Sequence, residues 1–479
     1  MSTTPLDEAN PNPARTRTHI PLTEFSNDVK SLWAVDSIPL LREPPTAFDF
    51  LKDYVSLSKP CIIESALHSN TAHSDTHGNA SDSDTPSFTV DDVTAMALEL
   101  SLELPLDRRS DESVRVTVDV TPDGHGDCIR CVDGRDMFVL PEERCIPLTE
   151  FTHLLREQRH CQYSQQYSQR YCQKGAVDGA VDGAVDGPLE YAPLTSTLKT
   201  FSDAPSSHPP PPPSSSSSSS SVYYYSRQND CLRSELSQLF TKMDIPSTVP
   251  ILSNAFANVD PQAINLWIGN EYASSALHKD FYENLYYVCS GEKTFLLCPP
   301  SDALVLEEQK VPMGRFHCGT DDCDDNDTNT GDTDTAGAWT VNALLDDNHV
   351  PQMTHWIKPN IQHLLPHAYE THTSPSFLVR KQQFLDQYPL LQHVKPLRVK
   401  VKAGQMLYLP ALWFHQVSQS CETVAINYWY DMRFDSPLYC YFHLLEGIQL
   451  ATRSSSTTTR EEEEGEQHEG DEDDEGDED

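Results

Sequence analysis

Leu277-His278-Lys279-Asp280-Phe281-Tyr282-Glu283-Asn284-Leu285-Tyr286, followed by Lys293, is the stretch on which the reading of this chain turns. A second piece, Leu409-Pro410-Ala411-Leu412-Trp413-Phe414-His415, lies far downstream. Together they supply two imidazoles and one carboxylate. That ligand set binds a redox metal on one face and leaves the other face open. Chance must be weighed first. With 19 His and 73 acidic residues in 479 positions, about three His-x-acid triplets arise by accident. Three occur, at His73, His125 and His278. His73 lies in a Ser/Asp/Thr run that cannot build a core. His125 follows Pro122-Asp123-Gly124, which is turn chemistry. Only His278 has aromatic, β-forming company.

Successive strand side chains alternate faces, so a strand through this stretch puts His278, Asp280, Tyr282, Asn284 and Tyr286 on one side. Ser290-Gly291-Glu292 is a tight turn. A hairpin there returns Lys293-Thr294-Phe295-Leu296-Leu297 beside the ligand strand. A buried lysine needs an anion, because an unpaired charge in an apolar interior is costly; a dicarboxylate cosubstrate is such an anion. Downstream, Gly404–Pro410, Trp413–Val417 and Thr423–Tyr430 are β-branched and aromatic, which predicts three more strands. Short, evenly spaced strands predict a β-sandwich or barrel. Taken singly, each residue has a plainer explanation: a lone His or Asp is usually a satisfied polar group, and a lone lysine a surface one. The joint pattern carries the argument.

These residues also carry a resemblance. "LHKDFYENLYYVCSGEKTFLLCPPSD", "GQMLYLPALWFHQVSQS" and "AINYWYDM" resemble the Jumonji-C family of iron(II)- and 2-oxoglutarate-dependent oxygenases. Within it, the chain is similar to the small cytosolic lysyl-3-hydroxylase subfamily acting on developmentally regulated GTPases. "LKDYVSLSKPCII", "VTVDVTPDGHGD", "VYYYSRQNDCLRSEL" and "AINLWIGN" extend the match upstream. The resemblance implies a mainly β, double-stranded β-helix core of the cupin or jelly-roll kind, with N-terminal α/β elements and a C-terminal helix. It implies that His278, Asp280 and His415 bind Fe(II), and that Lys293 pairs with the far carboxylate of 2-oxoglutarate. Tyr224, Ser275, Asn284 and Asn427 are expected in the same cosubstrate pocket. Ser275 stands where the family often has Thr. Oxygen is the other cosubstrate, and hydroxylation coupled to succinate formation is the implied chemistry. The implied partner is a lysine-containing protein, with a GTPase as one such substrate. A homodimer through the C-terminal helix is a further expectation.

The rest of the chain sets bounds. Segments 71–87, 161–172, 175–187, 208–221, 318–335 and 454–479 are polar, repetitive or acidic. Such composition cannot bury enough apolar surface to offset ordering entropy. We therefore expect an N-terminal α/β region at 18–160, a low-complexity insertion at 161–221, a catalytic domain at 222–450 interrupted by 318–335, and an acidic tail at 451–479. The net charge of −39 is concentrated: 461–479 holds 14 acids and 321–334 holds 7, so the remainder carries −18. No basic stripe exists, which argues against nucleic acid or anionic membrane as a partner. No 18-residue apolar run or leader-like N-terminus occurs, and the 13 cysteines are an odd number, so reduced thiols and a cytoplasmic or nuclear location are expected. Neither Cys128/Cys131 nor Cys318/Cys323 has a matching ligand pair for zinc.

Helices are expected at 45–57, 90–103, 148–157, 232–243 and 437–450. Thr89 is the predicted N-cap of the second, with Asp91 and Asp92 in its first turn. The leading function is a protein hydroxylase acting on lysine, with Glu283 or Asp431 as candidate receivers of its ammonium. An N-methyl-lysine demethylase is the rival within enzymes, although the chain lacks zinc-ligand reader modules. A non-catalytic cupin scaffold is the rival outside them, opposed by the filled ligand positions.

Overall fold

The computed structural model describes residues 24, 28–29, 37–64, 66–67, 86–103, 114–158, 221–256, 259–306, 308–319, 339–367 and 369–449. Of the segments expected above to be unable to pack, 71–85, 161–172, 175–187, 208–220, 320–335 and 454–479 lie outside these residues.

Two sheets form a sandwich. The major sheet has the order Leu40–Leu41, Cys61–Glu64, Gln405–Leu409, Tyr282–Ser290, Thr423–Asp431, Ala263–Gly269. The minor sheet has the order Leu397–Lys402, Glu292–Cys298, Phe414–Gln419, Ser274–Ser275, His125–Gly126. Adjacent long strands of both sheets run antiparallel. Between the sheets lies a core that takes Tyr286, Val288, Leu407 and Leu409 from one and Phe295, Leu297, Val399 and Val401 from the other. This is the jelly-roll expected from the sequence.

The long strands are apolar on both faces because both faces are covered. Along Tyr282–Ser290, Tyr286 and Val288 enter the inter-sheet core. Leu285, Tyr287 and Cys289 enter a second cluster with Phe50, Val93, Phe151 and Leu239 from the N-terminal elements. The period of two is intact; two different hydrophobic partners conceal it in the sequence. A third cluster packs Leu304, Leu306, Phe384, Phe414 and Phe442 at the C-terminal end.

Three expectations need correction. His278 and Asp280 precede the regular strand, which starts at Tyr282. His278 makes an isolated bridge to His415 instead, and the chain then crosses into the major sheet. Second, Tyr282–Ser290 and Glu292–Cys298 are not a paired hairpin. They belong to opposite sheets, and the chain changes sheets at Gly291, whose φ is +80° and where a Cβ would stand 2.5 Å from the Glu422 carbonyl oxygen. Only glycine fits there. Third, Cys318 ends the Glu308–Cys318 strand and is buried, so it does not belong to the acidic insertion.

Among the helices, Val90–Glu103 forms as expected. Thr89 Oγ accepts from the Asp92 amide at 3.2 Å, and Asp92 accepts from the Thr89 amide at 2.8 Å, a reciprocal cap. The segment expected at 45–57 is a short turn, Ala47–Phe50, continued as a π-helical turn Leu51–Val55. The helix expected from 232 begins only at Ser237. No helix among the described residues is long and apolar enough to cross a membrane.

Candidate active site

His278, Asp280 and His415 converge between the sheets, and their ligand atoms all lie within 4.8 Å of one another. Backbone pairing sets this up. The His278 amide donates to the His415 carbonyl at 3.0 Å, and the His415 amide donates to the His278 carbonyl at 2.7 Å. The Leu412 amide donates to the Asp280 carbonyl at 2.8 Å, which ties the acid to the Pro410–Trp413 turn.

The imidazoles are oriented for coordination. His278 Nδ1 lies 2.8 Å from the Ala276 carbonyl and His415 Nδ1 lies 2.9 Å from the Trp413 carbonyl. A carbonyl only accepts, so each Nδ1 carries the hydrogen and each Nε2 keeps its lone pair. His415 Nε2 is 3.5 Å from Asp280 Oδ2. Burial and the neighbouring His415 push the His278 imidazolium down to about 4, so it is neutral near pH 7. Burial would raise the Asp280 carboxyl, yet it is held below its usual range by the neighbouring His415 and His278. Two imidazole nitrogens and one carboxylate oxygen fit a divalent first-row metal such as iron(II).

The triad borders a cavity of about 300 Å³. Ser275, Asn284, Asn427, Tyr224 and Gln419 line it as well. Asn427 Oδ1 accepts from Trp267 Nε1 at 2.9 Å and from Asn265 at 3.2 Å, and its amide donates to Asn284 Oδ1 at 3.3 Å. Ser275 Oγ accepts from the Val417 amide at 2.9 Å.

Lys293 is 0% exposed. It comes near through cross-strand pairing with Gln419, since Glu292–Cys298 is the neighbour of Phe414–Gln419. Its Nζ donates to Tyr224 Oη at 3.0 Å and to Gln419 Oε1, and it stands over the Tyr224 ring. Both partners are neutral, and no carboxylate is within ion-pair distance among the described residues. Burial pushes the ammonium down to about 7. This is a cation held ready for an anion, the environment that a far carboxylate of 2-oxoglutarate fits. Tyr224 is supplied by the Val222–Tyr224 strand, which pairs with Arg115–Thr121, while Tyr225 bridges to Ile268 beside Gly269.

Several groups escaped the sequence reading. Gln419, the second partner of Lys293, lay in a quoted motif without a role. Trp356 stacks on the His278 ring at 6.0 Å with an interplanar angle of 6°, and nothing in its surroundings in the sequence signals that. Asp119 and Asp127 line the cavity; Asp127 belongs to a His-x-Asp triplet set aside as a turn. Glu283 and Asp431, expected to receive a substrate cation, do not line the cavity. Glu283 accepts instead from Tyr408 Oη at 2.7 Å and the Ala411 amide at 3.4 Å.

Comparisons with known proteins bear on this site. Residues 46–436 match the Cupin-like domain family. The chain is 29% identical over 431 residues to the human bifunctional peptidase and (3S)-lysyl hydroxylase JMJD7, covering 90% of this chain and 95% of that protein. It is 35% identical over 229 residues to the lysine-specific demethylase JMJ32 of Arabidopsis thaliana, covering 46% and 56%. It is 26% identical over 414 residues to the JmjC domain-containing protein E of Dictyostelium discoideum, covering 84% and 86%.

Proposed function

The chain belongs to the cupin-like family in its JmjC form and is a 2-oxoglutarate-dependent oxygenase, and from that premise we propose that it hydroxylates C-3 of a lysyl residue in a protein substrate, with His278, Asp280 and His415 holding iron(II) and Lys293 anchoring 2-oxoglutarate. The observation that carries the metal assignment is the convergence of the three ligand atoms, with both Nδ1 positions already committed to backbone carbonyls. The cosubstrate assignment rests on the buried Lys293, which has only neutral partners. Similarity along nearly the whole length of a lysyl hydroxylase supports hydroxylation over demethylation. GTPases are the first substrates to examine.

Iron(II) with 2-oxoglutarate and oxygen supplies an oxidant able to insert oxygen into an unactivated C–H bond, giving succinate and carbon dioxide. The protein's part is placement. Tyr224 and Gln419 hold the lysine ammonium in one direction. Trp356 stacks on the His278 ring beside the metal ligands. Asn284 and Asn427 present amide groups along the cavity wall. We assign the catalytic domain to 222–450, with Arg115–Thr121 contributing a wall through its pairing to Val222–Tyr224.

The test is direct. Purified protein is incubated with iron(II), 2-oxoglutarate and candidate GTPases, then digested for mass spectrometry. A gain of about 16 Da (one oxygen atom) on a lysine, together with succinate, is expected. Loss of about 14 Da from a methylated lysine instead would establish the demethylase. Absence of metal and 2-oxoglutarate binding would remove the whole assignment.

A further inference from the structure

We propose that Asp119 and Asp127 are specificity-determining residues of this cavity and receive the ammonium of the lysyl side chain that enters it; the inference rests on the hydroxylase reading above. Both residues line the cavity that the triad lines. Asp127 follows His125–Gly126, the edge strand of the minor sheet, which pairs in parallel with Ser274–Ser275. Asp127 leaves that pairing with a φ of +51° and lines the same cavity as His278, Asp280 and His415. A lysyl arm from C-3 to its nitrogen spans about 5 Å, so a cation held at the acids keeps C-3 within the cavity that the triad borders.

The local charges are out of balance by one cation. A smaller hollow beside the cavity shares Asp119 and Asp127 and adds Glu143, Arg227 and Arg315. Three carboxylates thus face two guanidinium groups. Both arginines are committed to Glu143, at 3.3 and 3.0 Å. Among the described residues Asp119 accepts from Ser226 Oγ alone. Asp127 has no hydrogen-bond donor and no ion-pair partner among the described residues. In keeping with this, burial pushes both up, Asp119 to about 6 with Glu143 beside it and Asp127 to about 7 with Asp119 and Glu143 beside it, against the pull of Arg315 and, at Asp119, of the Ser226 hydrogen bond and Arg227. Two underused acids at one cavity wall are a receptor for a cation.

Among the described residues, two unpaired, buried indole N–H groups belong to residues that line the same cavity. Trp429 is 5% exposed and forms part of the cavity wall, and its indole N–H has no acceptor among the described residues. The Trp356 N–H shares this state. Buried N–H donors are rarely left so. A main-chain carbonyl is the acceptor that a polypeptide brings. Cation and carbonyl together describe a lysine within a chain. An unmethylated ammonium offers three donors to the two carboxylates, and each methyl group removes one, so the same site disfavours methylated lysine.

The experiment uses the full chain loaded with iron(II) and 2-oxoglutarate. The probes are three pools of acetylated nine-residue peptides with lysine, trimethyllysine or norleucine at the centre. Wild-type protein is expected to add oxygen to the lysine pool alone. Asp119→Asn with Asp127→Asn is expected to keep metal and 2-oxoglutarate binding with no loss of melting temperature, and to lose about 30-fold or more in kcat/KM on the lysine pool. Wild-type oxidation of the norleucine pool equal to the lysine pool overturns the inference without any variant. So does a double variant with wild-type turnover of lysine, or oxidation of no pool while 2-oxoglutarate binds. Failure of the wild-type protein to bind metal and 2-oxoglutarate removes the hydroxylase reading and this inference with it.

Discussion

Gly269→Ala is a one-methyl perturbation that tests how the cosubstrate anchor is built. Gly269 ends the Ala263–Gly269 strand, and its φ lies outside the left-handed region, so its backbone tolerates alanine. Space is the constraint. A Cβ there would stand 2.3 and 2.5 Å from Tyr224 ring carbons and 2.7 Å from Gln419 Nε2. Carbon contacts normally begin near 3.5 Å, so the ring must retreat by about 1 Å. The Tyr224 hydroxyl is 3.0 Å from Lys293 Nζ, and a further 1 Å ends that hydrogen bond. Both groups that must move are the two partners of Lys293. Overpacking costs about 1–3 kcal/mol of stability. Misaligning a charged hydrogen-bonding group costs about 1.5–3 kcal/mol of affinity, or roughly 10- to 150-fold. The assay is calorimetric titration of 2-oxoglutarate with manganese(II) in place of iron, alongside a metal titration without it. We expect weaker 2-oxoglutarate binding, unchanged metal binding and a lower melting temperature. Adding Tyr224→Ala relieves the ring clash but removes the partner itself, so it should not restore affinity. Wild-type 2-oxoglutarate affinity in Gly269→Ala would refute the account.

Three further outcomes follow from the same geometry. His278→Ala or Asp280→Ala should abolish metal binding; equilibrium dialysis against manganese(II) reads this, and retained binding in either variant removes the triad. Lys293→Met should stabilise the cosubstrate-free protein and weaken 2-oxoglutarate by about 30-fold or more, and because the lysine is pushed from 10.5 to about 7 in the folded state, the unfolded chain binds more protons between those values. Wild-type stability should therefore rise with pH over that window, and the variant's should not, as urea unfolding at pH 7, 8.5 and 10 will show. For the same reason 2-oxoglutarate binding above pH 7 should take up a proton; equal apparent enthalpies in two buffers of different ionisation heat would contradict that.

The sequence disclosed the site more fully than the path by which the chain reaches it. The strands at 405–409, 414–419 and 423–431 follow directly from β-branched and aromatic runs, and the triad followed from residue type and order. What it could not disclose was which sheet each strand joins. The segments 282–290 and 292–298 look like a hairpin because a Gly-marked turn separates two apolar runs. The actual change of sheet at Gly291 depends on Glu422 and Thr423, which crowd it from more than a hundred residues away. Asp127 was dismissed because its neighbours spell a turn. Its role depends on a parallel pairing with Ser274–Ser275 that no local pattern announces. The π-helical turn at Leu51–Val55 was likewise hidden, since helix-forming residues do not specify which carbonyl each amide meets.

Among the described residues Lys293 has no ion-paired acid and Asp119 and Asp127 have no ion-paired base, and one tyrosine bridges the two sites. Tyr224 accepts from Lys293 Nζ, and its strand pairs Tyr224 in register with Asp119. A chain under pressure for stability alone would bring such charges together, because each remains buried at a cost of several kcal/mol. Their separation is what makes the cavity selective. If Lys293 met Asp119 directly, an entering dicarboxylate would compete with an internal carboxylate for the ammonium. An entering ammonium would compete with an internal one for the acids. Kept apart by a neutral aromatic ring, each site presents its charge to a partner of opposite sign. The stability given up at Lys293, Asp119 and Asp127 is thus available as binding free energy for a dianion and a cation. That arrangement suits a reaction whose two organic participants carry opposite charges.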